Sequence, residues 1–146
     1  MLKQRLLHPI WSYTLVSAQF GIIALFIWQA FPWPFTPTTL GLQISAILLG
    51  LWALKTMHLG HFNIVPDPMP DIQLVTTGPY AFIRHPMYAS ILLFFVPIAA
   101  DAWLAFLALS ITLLLKLHYE EFLLTQQLDD YPRYQTRSKK LIPFVY

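Results

Sequence analysis

Two long apolar runs constrain this chain more than any other feature of its sequence. One extends from about Ile10 to Ala30 without a charged residue, and the second from about Thr39 to Met57. Each has the roughly 20 residues that an α-helix needs to cross the hydrocarbon core of a bilayer. Only 11% of the residues are charged, against about 25% in a typical soluble domain. The sequence therefore predicts an all-α integral-membrane protein.

Two shorter apolar runs in the second half predict a helical hairpin. Pro86–Ala100 and Ala102–Leu117 are separated by Asp101. Each is shorter than a perpendicular span, although the second can continue into Tyr119–Leu124. We expect residues 1–146 to form a single domain, a polytopic membrane bundle of about four transmembrane helices with this hairpin at its C-terminal end.

The positive charges lie on one side of this predicted bundle. In a four-helix arrangement all nine lysine and arginine residues fall at one end, and the opposite turns, Phe31–Thr38 and the tip at Asp101, contain none. Cytoplasmic loops are enriched in lysine and arginine. We therefore expect an N-in/C-in topology in a bacterial inner membrane, with the Leu59–Ile83 loop and the active site facing the cytoplasm.

A proline-punctuated motif follows that loop. Thr76–Tyr88 reads TTGPYAFIRHPMY, and Pro86 opens an apolar run. Proline suits the first position of a helix, so Arg84 and His85 would lie where helix N–H groups point outward. Such a place attracts anions, and a cation strengthens it. The motif predicts an anion site, with a positively charged membrane-edge loop as the alternative.

A second polar cluster, His118-Tyr119-Glu120-Glu121, lies at the cytoplasmic end of the last apolar run. Adjacent helical residues are about 100° apart, so at most one glutamate faces the bundle squarely. A carboxylate at the C-terminal end of a helix is unfavourable unless a cation pairs with it. Arg84, Arg133 or a cationic ligand could supply that charge, and the sequence leaves open which glutamate is involved.

The order and spacing of these motifs resemble the isoprenylcysteine carboxyl methyltransferase-like family, which is similar to membrane phospholipid methyltransferases. The resemblance covers about Asn63 to Phe144. The similar segments are Leu74–Tyr80, Arg84–Tyr88, Glu120-Glu121, Tyr131-x-x-Tyr134 and Leu141–Pro143. Two positions depart from the family pattern: Ser90 replaces a usual glycine, and Gly60–Asn63 replaces a G-R-x-x-S-like stretch.

The resemblance implies an S-adenosylmethionine-dependent methyltransferase that acts on a lipophilic or small acceptor at the cytosolic membrane face. The expected catalytic residues are Arg84, His85 and Glu121. The expected cofactor-binding residues are Tyr80, Arg84, His85, Pro86, Tyr88, His118, Glu120, Glu121 and Tyr134.

The chemistry of these side chains suits that cofactor. Arg84 and His85 suit its carboxylate, and Glu120 or Glu121 suits its ammonium or ribose hydroxyls. Tyr80 or Tyr88 can pack on the adenine or the sulfonium. An amine or thiol acceptor must also lose a proton, which His85 or His118 could take. A carboxylate acceptor needs no base.

The sequence leaves two other functions open. The alternatives are a non-catalytic membrane scaffold or partner subunit of the same shape and an NADPH-dependent membrane reductase. His58-x-x-His61 has helical spacing but no third ligand, so we expect no metal. Membrane lipids and the acceptor are the expected partners, without nucleic acid. The acceptor, whether prenylcysteine, phospholipid, thiol or another compound, and the oligomeric state are open.

The polar, aromatic tail, Thr125–Tyr146, closes with an apolar run, Leu141–Val145. Disordered ends tend to lack aliphatic and aromatic residues. We therefore expect the tail to fold back over the cytoplasmic mouth, with Tyr134 and Arg133 or Arg137 closing the cofactor pocket. Phe144 would then dock on the bundle or the headgroups.

Truncation after Asp130 tests this expectation. The apolar helices should still insert, but affinity for S-adenosylmethionine should fall by more than about tenfold, because an open mouth admits water to the sulfonium. Calorimetry on the detergent-solubilised protein measures the change. Equal affinity in the truncated protein would make the tail a membrane-surface anchor.

Overall fold

The structure is a computed structural model that describes residues 9–57, 65–68 and 72–146. Within these ranges the chain forms helices and connecting segments, and no β-strand occurs. The predicted all-α class is therefore confirmed. The helices are α1 (Pro9–Gln29), α2 (Pro37–Met57), α3 (Pro86–Phe95), α4 (Trp103–Gln127) and α5 (Tyr131–Gln135). Two short 3₁₀ turns, Gly78–Ala81 and Val96–Ile98, precede and extend α3.

Three helices, α1, α2 and α4, are long and apolar enough to cross a membrane. Helix α3 with its 3₁₀ extension, Pro86–Ile98, is a shorter apolar helix. At 1.5 Å per residue it is about 20 Å long, whereas the hydrocarbon core is about 30 Å thick. The second arm of the predicted hairpin, α4, continues to Gln127, as the sequence allowed. The first arm, which the sequence predicted as a membrane span, has about two thirds of the required length.

Prolines begin three of the helices, because proline loses no helical hydrogen bond at the first position. Pro9, Pro37 and Pro86 begin α1, α2 and α3 respectively. Thr36 also caps α2, since its Oγ1 accepts a hydrogen bond from the Thr39 N–H at 3.1 Å. The starting points of these helices therefore follow directly from the sequence.

The two arms of the hairpin pack on different partners. Helix α3 packs mainly against α2, and α4 packs mainly against α1. The approach of α3 to α2 is close at Gly50, where an added Cβ would lie 3.1 Å from Ser90 Oγ. Between α1 and α3, near the α3 N-terminus, a cavity remains.

An apolar cluster closes the other end of the bundle. Phe26 of α1, Phe95 of α3 and Leu113 of α4 are among its buried members. The Phe26 and Phe95 rings lie 4.7 Å apart between centroids. Outward-facing residues such as Trp28 and Leu48 are exposed, as expected for helix faces that contact lipid. The candidate site described below lies at the other end of the bundle, which carries the tail.

Single-cysteine labelling tests the predicted topology, because the chain contains no cysteine. Thr36 and Thr136 are both exposed and lie at opposite ends of the bundle. In inside-out vesicles an impermeant maleimide should modify Thr136→Cys and leave Thr36→Cys unmodified, because the lysine and arginine residues of the described ranges lie toward the Thr136 end. The reverse pattern would contradict the topology.

Candidate functional site

The segment of residues 78–85, called the site segment, begins with a glycine in the left-handed conformation. Gly78 has φ +58°, and a Cβ there would lie 2.6 Å from Thr56 Oγ1 of α2. A side chain would therefore be strained by its backbone conformation and by contact with α2. Gly78 starts the 3₁₀ turn Gly78–Ala81, which buries Tyr80 and leads the chain to Arg84 and His85.

The tail pairs with the backbone of this segment. The Arg84 N–H donates to Lys139 O at 2.7 Å, the His85 N–H donates to Lys140 O at 3.0 Å, and the Lys139 N–H donates to Phe82 O at 3.1 Å. The backbone N–H groups of Arg84 and His85 are therefore not available to an anion, whereas an anion site at the helix N–H groups near Pro86 stays a prediction. Tail carbonyl groups occupy both donors, and the side chains of Arg84 and His85 line the cavities described below.

The Arg84 side chain joins three parts of the chain. Its Nε donates to Glu121 Oε1 of α4 at 2.6 Å, and its Nη1 donates to Gln135 O at 3.2 Å and to Ser138 O. The side chain is 6% exposed. A guanidinium has a fixed fork of donors, so Arg84 fixes the relative positions of α4, the tail and its own segment.

The two glutamates have different partners. Glu121 is buried and contacts Arg84, His85 Nε2 at 3.3 Å and Lys140 Nζ at 3.8 Å. Glu120 is half-buried, accepts a hydrogen bond from the Tyr88 hydroxyl at 2.8 Å and lies 3.8 Å from His85 Nδ1. Both carboxylates thus approach His85, from opposite sides of its ring.

Two cavities meet at these residues. The larger one has a volume of about 400 Å³ and lies between α1 and α3, with residues 65–68 on its border. The smaller one has a volume of about 60 Å³ and lies between residues 72–75, the end of α4 and α5. The residues that line both are Met57, Ile72, Tyr80, Arg84, His85 and Glu120. This shared wall contains four of the predicted site residues.

The remaining predicted residues occupy different places. Pro86 and Tyr88 line the larger cavity, and Tyr134 lines the smaller one. Glu121 lies behind the wall, in contact with Arg84 and His85. His118 is exposed: its Nδ1 lies 2.7 Å from Leu114 O and its Nε2 lies 3.1 Å from Lys140 Nζ. The structure therefore places His118 outside the described lining of both cavities.

The tail folds back over the bundle, as the sequence predicted. The Tyr134 hydroxyl donates to Tyr80 O at 2.5 Å. Burial raises the pKa of Tyr134 to about 12, so this hydroxyl stays protonated and remains a donor at neutral pH. Arg133 and Arg137 are exposed, which leaves Tyr134 as the member of that predicted set that closes a cavity. Phe144 is 87% exposed, so it does not dock on the described bundle.

Sequence reasoning missed four polar residues near the larger cavity. Lys116, Gln19 and Asp67 are buried and line it, and Ser12 donates a hydrogen bond to Asp67. For Ser12, Gln19 and Lys116 the available signal was a polar residue within an otherwise apolar run, whereas Asp67 lies in the polar Leu59–Ile83 loop and had no such signal. The predicted segments His58–His61 and Gly60–Asn63 lie outside the described residues. Within the described ranges no group of three potential metal-ligating residues occurs.

Comparison with known protein families gives a match to the isoprenylcysteine carboxyl methyltransferase (ICMT) family over residues 39–130. The match covers more than half of the chain and includes Arg84, His85 and both glutamates. It confirms the resemblance seen in the motifs, begins earlier in the chain than the motifs did, and ends before the paired tyrosines of the tail. A comparison with curated proteins found no match.

Hydrogen exchange tests the attachment of the tail to the site segment. Tyr134→Phe removes one hydrogen bond to Tyr80 O, which is worth about 0.5–1.5 kcal/mol. The amides of Arg84, His85 and Lys139 should therefore exchange roughly 2- to 13-fold faster. Tyr13→Phe, on the exposed face of α1, is the matched control. Unchanged exchange in Tyr134→Phe would show that this hydroxyl does not hold the tail.

Proposed function

This chain belongs to the isoprenylcysteine carboxyl methyltransferase family, and from this we propose that it transfers a methyl group from S-adenosylmethionine to an acceptor. Family membership, together with three helices of spanning length, makes the protein a membrane methyltransferase. The use of this cofactor, the lipophilic or small acceptor and the cytosolic position of the site are the proposed parts. One domain over residues 1–146 would carry them all.

The wall shared by the two cavities is the observation that carries this proposal. Arg84, His85 and Glu120 place cationic and anionic groups side by side, and Tyr80 adds an aromatic ring. S-adenosylmethionine has both an ammonium and a carboxylate at one end and an aromatic base at the other. A ligand of this kind needs a wall with charges of both signs next to apolar space.

The donors and acceptors on the wall fit the cofactor. Glu120 accepts one hydrogen bond from Tyr88 and has further lone pairs for an ammonium or a ribose hydroxyl. Arg84 uses Nε and Nη1 within the protein, and its Nη2 donates to none of the described residues. That nitrogen would bind the carboxylate together with His85. The Tyr80 ring would contact the sulfonium or the adenine, because the Tyr88 ring stacks on His85 and lies against the Lys116 ammonium.

Glu121 would support this arrangement from behind the wall. It pairs with Arg84 and lies within 3.3 Å of His85, so it fixes both side chains in orientation. Tyr134 and the tail exclude water from the smaller cavity. When bound, S-adenosylmethionine supplies a methyl group on a sulfonium whose positive charge is lost on transfer, and a site of low dielectric favours that loss. Glu121 would therefore help to align the cofactor, and Tyr134 with the tail would help to desolvate it.

The larger cavity suits an acceptor with a lipophilic part. Phe20 and Ile23 of α1 and Ile91 of α3 line it on the side away from the tail. Both helices have exposed apolar faces, so an acceptor could approach from the bilayer. If the acceptor is an amine or a thiol, His85 is the histidine of the described lining that could take its proton.

Binding of S-adenosylmethionine to site variants tests the proposal. Charged hydrogen bonds are worth about 1.5–3 kcal/mol, so Arg84→Ala, His85→Ala and Glu120→Gln should each weaken binding by about 10- to 150-fold. Calorimetry on protein in detergent measures this. Asp101→Asn, at the opposite end of the bundle, is the control and should bind as the unmodified protein does.

The outcome separates the competing functions. Binding of NADPH in place of S-adenosylmethionine would indicate a reductase, and binding of neither would indicate a non-catalytic membrane protein. Arg84 also holds the tail. Tyr134→Phe, which loosens the tail without removing the charge, is therefore measured as well, to separate the two effects of Arg84→Ala. Unchanged affinity in the His85 and Glu120 variants would overturn the proposal that the wall shared by the two cavities binds the cofactor.

A further inference from the structure

A buried lysine is part of the lining of the larger cavity, outside the wall that both cavities share but close enough to Glu120 of that wall to interact with its charge. Lys116 of α4 is 2% exposed and lies four residues before Glu120, one helical turn further into the bundle. Its Nζ donates to Gln19 Oε1 of α1 at 2.6 Å. It also lies 5.2 Å from the centroid of the Tyr88 ring. Ionisable residues within membrane helices are costly and commonly functional.

The position of Lys116 gives the cavity an uneven distribution of charge. Glu120 lines both cavities, whereas Lys116 and Gln19 are part of the described lining of the larger one alone. Beyond them the lining is apolar, with Phe20 and Ile23. A molecule that occupies this part of the cavity would therefore place its polar group beside an ammonium and an amide, and its apolar part beyond them.

Helix packing alone does not account for a lysine at this place. A neutral pair of similar size would join α1 to α4 as well or better, because a buried charge loses its hydration. The ammonium lies against the electron-rich face of Tyr88 and beside the amide oxygen of Gln19, which together hold it in the cavity wall. A charge that is held in this way can interact with a ligand of opposite sign.

We propose that Lys116, oriented by Gln19, is a specificity-determining residue that selects the methyl acceptor by its charge. Its ammonium binds one oxygen of an acceptor carboxylate and disfavours lipids whose polar group is an ammonium. This role rests on the proposed function and deepens it. The family's description already mentions a carboxyl group, and the structure adds the residues that would recognise its charge.

Two probes of equal chain length test the charge preference directly. Dodecanoate and dodecylamine differ in the sign of their polar group at mildly alkaline pH. Binding to the full-length protein in nanodiscs of neutral lipid is measured without S-adenosylmethionine. The unmodified protein should bind dodecanoate at least about tenfold more tightly than dodecylamine, as one charged hydrogen bond allows.

The variants attribute that preference to a residue. Lys116→Met should abolish the preference, Lys116→Arg should retain it, and Lys116→Glu should invert it. Lys55→Met is the matched control and should retain the full preference. Lys55 is an exposed lysine in the last turn of α2, at the end of the bundle that carries the site. If Lys116→Met unfolds, the double variant Gln19→Leu/Lys116→Met removes both polar groups and should also lose the preference.

The outcome also distinguishes this proposal from the proposed function. Lys116→Met should bind S-adenosylmethionine within about threefold of the unmodified protein, a difference of less than one kcal/mol. If the unmodified protein does not bind S-adenosylmethionine, the methyltransferase proposal is overturned, but the preference between the two probes can still be measured. Equal binding of the two probes to the unmodified protein, or a preference that persists in Lys116→Met, would overturn the role of Lys116.

Discussion

The ion pair between Arg84 and Glu121 is the interaction on which the rest of the site depends. Its two side chains are 6% and 8% exposed, so little water screens their attraction. Removing one partner of such a pair leaves a buried charge uncompensated and costs about 3–5 kcal/mol. Arg84 also donates to carbonyl groups of the tail. One guanidinium therefore positions α4 and the tail, and the carboxylate it holds lies next to His85.

The length of α3 explains why the site lies near one end of the bundle. This helix is too short to span, and it packs on α2 while α4 packs on α1. The apolar cluster around Phe26 fills the opposite end. Space is therefore left where α3 begins, next to the part of α4 that carries Lys116, Glu120 and Glu121. The site thus combines an apolar cavity with charged side chains, and the proposed lipophilic acceptor and charged cofactor would need both.

The tail is part of the site although the family match ends at residue 130. Its backbone occupies the N–H groups of Arg84 and His85, and Tyr134 contacts both the site segment and the smaller cavity. The tail thus changes which groups of the motif are available to a ligand. The side chains of Arg84 and His85 remain on the cavity wall, whereas their backbone donors do not.

The sequence by itself determined the membrane helices, their starting points and the family. Uncharged runs of about 20 residues and prolines at first helical positions are local features, so they predict a membrane helix and its first residue without reference to distant contacts. The motif around Arg84 and the paired glutamates likewise identified most of the wall residues. The tertiary structure alone decided that Glu121 pairs with Arg84 while Glu120 faces the cavities, that His118 lies outside them, and that Lys116 lies within. These outcomes depend on contacts between residues 37, 54 and 97 positions apart. Helical periodicity fixes the direction of a side chain on its own helix, but the packing of other elements determines what that side chain meets.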